Sequence, residues 1–169
     1  MISLPPTYAE DTRITELGTA EAFIVMVLRL WVAARLETDN AVLDWQSAFV
    51  AAGVEEQGVP AFGCFMDIVA STAVRSVRVR PIRCMLLGRD EARLLQLVSL
   101  FQHDRRELAI AALAEWLPPA AVRLADRVGQ ALAAALGAGH LTVPLRHREA
   151  VQYRRLAAAH AMPGFALVH

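Results

Sequence analysis

Apolar residues recur along this chain at intervals of three and four, and the recurrence is clearest between Asp90 and Gly137. There the spacing predicts three successive helices. The first opens after Gly88, with Asp90 and Glu91 in its first turn, where negative charge complements the helix dipole. Leu94, Leu97, Val98 and Phe101 form its apolar face. Asp104 reads as the N-cap of the second helix, with Glu107 three residues on, as in a capping box. Pro118 and Pro119 end that helix after Trp116 and Leu117, and Pro119 suits the first position of the third. In the third helix, Leu124, Val128, Leu132, Ala135 and Leu136 read as the buried side. Arg123, Asp126, Arg127 and Gln130 read as the wet side, with Gly137 and Gly139 closing the helix.

The N-terminal half repeats the pattern. Thr19 to Glu37 is predicted as a helix that is apolar nearly all round, which suits a central position in a bundle. Thr38, Asp39 and Asn40 form a capping cluster before a helix with Val42, Trp45, Phe49 and Val50, ended by Gly53. Val54 to Gly58 reads as a connector, and Pro60 as the start of a helix reaching about Val74.

Between Ser76 and Leu87 the period changes to two. Val77, Val79 and Ile82 alternate with Arg78, Arg80 and Arg83, and Pro81 breaks the run. No second segment reads as a strand to pair with it. The expectation is an extended connector across one end of the bundle, apolar side chains in and arginines out. Leu141 to Leu145 is extended again, and 146–162 is a weakly amphipathic helix. The pattern predicts an all-α fold: one helical bundle of about six or seven helices with an extended Arg-rich connector at about 76–87. Residues 1–18 form an N-terminal arm and 19–143 the helical core. Residues 144–169 are a C-terminal helix and tail, packed on the core or on a partner.

Composition adds bounds. The chain has 169 residues, 56% of them hydrophobic, and no net charge. Mean hydropathy is +0.37, and a neutral chain this apolar is expected to hide surface in a homo-oligomer. All 17 basic residues are arginine, a usage that fits a GC-rich bacterial genome. The two cysteines, Cys64 and Cys84, form no C-x-x-C pair and fit a reducing cytoplasm. Arg29 and Arg35 interrupt the longest apolar run, so no segment has the ~20 apolar residues of a membrane span.

Recognisable chemistry is sparse. The histidines form no metal-ligating spacing, there is no nucleophile elbow, and Gly137-Ala138-Gly139 lacks the context of a phosphate loop. No catalytic residue, metal or cofactor is therefore assigned. The expected function is binding, with another copy, a second protein or a small anionic ligand as partner. Arg78, Arg80 and Arg83 are the expected ligand-binding residues, because guanidinium groups hold carboxylates and phosphates bidentately. Asp67, flanked by Gly63, Cys64, Ala70 and Ser71, is the further candidate. One alternative is an enzyme site near Asp67, His103 and the Arg75–Arg83 segment. A second is a nucleic-acid regulator, against which the neutral charge and Glu55-Glu56 both argue.

Overall fold

The computed structural model describes residues 8–9, 12–36 and 44–146. Six helices follow one another: α1 (Thr19–Leu36), α2 (Trp45–Ala51), α3 (Glu55–Thr72), α4 (Arg89–Gln102), α5 (Arg106–Leu113) and α6 (Pro119–Ala138). A 3-10 turn at Ile14–Glu16 precedes them. The described residues contain no sheet, only an isolated antiparallel bridge between Arg13 and Leu86. The all-α fold is as the periodicity predicts, and no helix among the described residues is long and apolar enough to cross a membrane. The Thr38–Asn40 cluster, Val42 and the helix expected over 146–162 lie outside the described residues, save Arg146.

α1 is buried on most of its surface, including two charged residues, Glu21 and Arg29. α3 packs most extensively on α6, and α4 lies between α1, α5 and α6. Asp44 caps α2 by accepting the Ser47 N–H at 2.6 Å. Gly53, at φ +68°, makes the left-handed turn into α3. At the corner after α5, Trp116 and Leu117 are buried. The Trp116 carbonyl accepts the Val74 N–H at 2.8 Å, which ties this corner to the exit of α3.

Four boundaries and faces depart from the pattern. α3 begins at Glu55, so Pro60 lies inside it rather than at its start. Its missing N–H deprives only the carbonyl of Glu56, a residue exposed to solvent. Asp104 is not the cap of α5: it takes a left-handed φ of 55° and closes α4, and Arg105 occupies the cap position. Short acidic side chains tolerate that conformation, and the turn is paid back by the Arg105 N–H reaching the Leu100 carbonyl at 2.8 Å. At the end of α6 Gly139 is the C-cap as predicted, but the left-handed residue is the His140 that follows it rather than a glycine. The buried stripe of α6 is also rotated. Leu124 is exposed and Asp126 buried, while Ala121, Ala125, Gly129, Leu132 and Leu136 face inward. Small residues there let the partner helices come close: a Cβ on Gly129 would meet Phe101 Cε2 at 2.5 Å. Asp126 is tolerated because Arg106 and Gln130 donate to it.

Candidate functional site

The connector leaves α3 at Ala73 and reaches α4 at Gly88 without regular structure. Two adjacent carboxylates at the start of α4 hold it in shape. Glu91 is fully buried, and four donors fill its two oxygens. Oε1 accepts Arg29 Nε at 2.8 Å and the Arg80 N–H at 2.9 Å. Oε2 accepts Arg29 Nη2 at 2.8 Å and the Gly88 N–H at 2.6 Å. Arg29, reaching across from the middle of α1, also donates to the Cys84 carbonyl at 2.5 Å and the Leu86 carbonyl at 2.8 Å. An ion pair this deep survives only when its remaining donors and lone pairs are satisfied, and here the connector backbone satisfies them.

Asp90 repeats the arrangement one residue earlier. Arg75 grips it bidentately, Nη2 to Oδ1 at 2.7 Å and Nη1 to Oδ2 at 3.1 Å. Oδ2 also accepts the Arg78 N–H at 2.8 Å. Burial pushes the Asp90 carboxyl up, but Arg75 and the Arg78 N–H outweigh it, and the group lies below its ordinary range. The Trp116 indole N–H, buried and making no hydrogen bond of normal geometry, adds a smaller lowering effect.

The side chains between these anchors alternate as the sequence predicts. Val77, Val79 and Ile82 are half-buried, and Arg78, Arg80 and Arg83 are exposed. Arg89 is exposed at the start of α4, and the methylene stem of Arg80 lies over Gly88. Arg75 differs: its guanidinium is occupied by Asp90. Across residues 73–103 the only acids are Asp90 and Glu91, and both are turned inward. The segment therefore shows guanidinium groups outside and their balancing charges inside. Val74 and Met85 are exposed apolar side chains on the same segment, at 65% and 55%.

The other candidates lie apart. Asp67 is exposed on α3 and ion-paired with Arg35, whose guanidinium stacks 4.5 Å from the Trp31 ring. His103 follows the last turn of α4, about 20 Å along that helix from Asp90 on its rise of ~1.5 Å per residue. Its Nε2 lies 3.0 Å from the Val143 carbonyl. Asp67 and His103 thus have partners of their own, neither of them a connector arginine. A cavity lined by Leu28, Met66, Val69, Val77, Asp90, Leu94 and Trp116 measures about 10 Å³, enough for a single water.

Another buried carboxylate organises the far end of α1. Glu21 accepts the Tyr8 hydroxyl at 2.6 Å, the Gly18 N–H at 2.7 Å and Arg146 Nη2 at 2.5 Å. Burial raises this carboxyl, and the three donors outweigh it, leaving it below its ordinary range. Burial and the Glu21 partner together raise the Tyr8 hydroxyl, and the Arg146 guanidinium lies 4.6 Å over its ring. Sequence reasoning passes over Glu21, Arg29 and Glu91 as site-building residues. Arg29 reads there as a break in an apolar run and Glu91 as a charge for a helix dipole. No protein-family model, no curated protein and no solved structure matches this chain.

Proposed function

We propose that this chain is a binding module that recognises an anionic group on a partner protein through the connector arginines. The observation that carries the reading is the anchoring of Arg78 and Arg80. Their backbone N–H groups are fixed on Asp90 and Glu91, so the segment is held in place before any ligand arrives. Their side chains stay exposed, with no acid nearby in sequence to neutralise them. A backbone already fixed loses little freedom on binding, which favours recognition over a solvated loop. Val74 and Met85, exposed on the same segment, favour a protein surface over a bare inorganic ion. The test is calorimetric titration of tripolyphosphate and glutarate into the wild-type chain and an Arg78→Ala/Arg80→Ala variant. Heat from the wild type and binding at least about tenfold weaker in the variant are expected. No heat from the wild type, or equal binding by both, overturns the reading.

A further inference from the structure

We propose that the connector is an open strand edge, and that its occupant is an extended acidic peptide segment of a partner protein. The inference rests on the reading that the connector arginines face an anionic partner, and it adds how that partner is held. The Arg78 and Arg80 N–H groups, two residues apart, both point at the start of α4. In extended backbone, the N–H groups of successive residues point to opposite edges and those two residues apart share an edge. The side occupied by Asp90 and Glu91 is thus one edge, with carboxylate oxygens standing where a neighbouring strand would place carbonyls. The other edge carries the N–H groups of Val77 and Val79, which donate to nothing among the described residues.

A strand laid along that second edge gains backbone hydrogen bonds from Val77 and Val79, the mode of recognition known as strand addition. Its side chains alternate with the same period as the connector, so every second one lies on the face of Arg78 and Arg80. Acidic residues at those positions meet the two guanidinium groups. Charge complementarity selects this occupant over the chain's own C-terminal segment, since residues 147–169 contain three arginines and one acid, Glu149. The exposed apolar side chains Val74 and Met85 favour a peptide over a nucleic acid, which offers charge without aliphatic side chains.

The experiment titrates the full chain with a capped pentapeptide alternating threonine and glutamate. The same peptide with its alternate, edge-facing backbone nitrogens methylated, glutarate, and a single-stranded oligonucleotide serve as the comparison arms. An Arg78→Gln/Arg80→Gln variant is run in parallel. The bonds to Asp90 and Glu91 come from backbone, so this variant keeps them, and an unchanged thermal melt verifies that. Expected are binding of the plain peptide, about tenfold weaker binding of the methylated one and of the double variant, and downfield shifts of the Val77 and Val79 amide protons on binding. Equal affinity for plain and methylated peptide, with both lost in the double variant, overturns strand addition and leaves the arginine reading standing. Binding of glutarate without the peptide does the same. Silence in every arm overturns both readings, and tighter binding of the oligonucleotide than of the peptide overturns the choice of partner.

Discussion

Arg29 and Glu91 are the residues on which the connector's shape depends, and both lie deep in the molecule. Removing one charge from a buried pair leaves the other uncompensated, at a typical cost of ~3–5 kcal/mol, whereas an apolar pair of similar volume is often tolerated. Arg29→Met is therefore expected to lower stability by that amount, and Arg29→Met/Glu91→Leu to recover part of it. The double variant cannot recover all of it, because the carbonyls of Cys84 and Leu86 and the N–H groups of Arg80 and Gly88 lose their partners. Urea midpoints decide the matter: a loss below ~1 kcal/mol for Arg29→Met places the pair in contact with water. This part of the site was poorly legible in the sequence. Period and polarity mark Arg29 as misplaced in an apolar helix, but its partner lies 62 residues away. By contrast, the outward alternation of Arg78, Arg80 and Arg83 was legible, since it follows from local period alone.

At the scale of elements, the number and order of helices follow from pattern and punctuation, and their faces follow less well. α6 shows why. Hydrophobicity alone ranks Leu124 above Ala125 and Gly129, yet the close contact with α4 requires small residues, so the large side chain is left outside. The buried Asp126 likewise depends on Arg106 from another helix. Gly129→Ala tests the close approach. Alanine is favoured over glycine inside a helix by ~1 kcal/mol, while overpacking costs ~1–3 kcal/mol. A Cβ placed 2.5 Å from the Phe101 ring makes the second effect dominate, so a net loss of stability is expected. Phe101→Leu in the same background should return some of it. A variant more stable than wild type in thermal unfolding would show that the ring moves aside freely.

For the molecule as a whole, the neutral net charge conceals a division. Glu21, Asp90, Glu91 and Asp126 point inward, while Arg78, Arg80, Arg83 and Arg89 point outward. The division sets the acid response. Glu21, Asp90 and Asp126 each titrate below their ordinary values in the folded chain. For Asp126 the Arg106 partner is the main cause, with burial opposing it. A carboxyl lowered by folding contributes stability that is complete above its unfolded value of ~4 and is lost as pH falls through the folded value. Stability governed by these groups is thus expected to be level from pH 7 to about 5 and to decline at more acid pH. Urea midpoints at pH 7, 5 and 3 check this, and an undiminished midpoint at pH 3 would contradict it.

The seating of the connector on Asp90 and Glu91 has a consequence for hydrogen exchange. Amides in an irregular segment ordinarily exchange quickly with solvent deuterium. That of Arg80 is held on Glu91, which also pairs with Arg29 of α1, and that of Arg78 on Asp90, which Arg75 also grips, so both are released only when the connector lifts off the start of α4. They are expected to exchange as slowly as amides in the middle of α4, while Val77 and Val79 between them exchange fast. That gives an alternating fast–slow pattern with a period of two residues, within a stretch that has no sheet. Uniformly fast exchange across 76–81 would mean that the carboxylates hold the segment only part of the time.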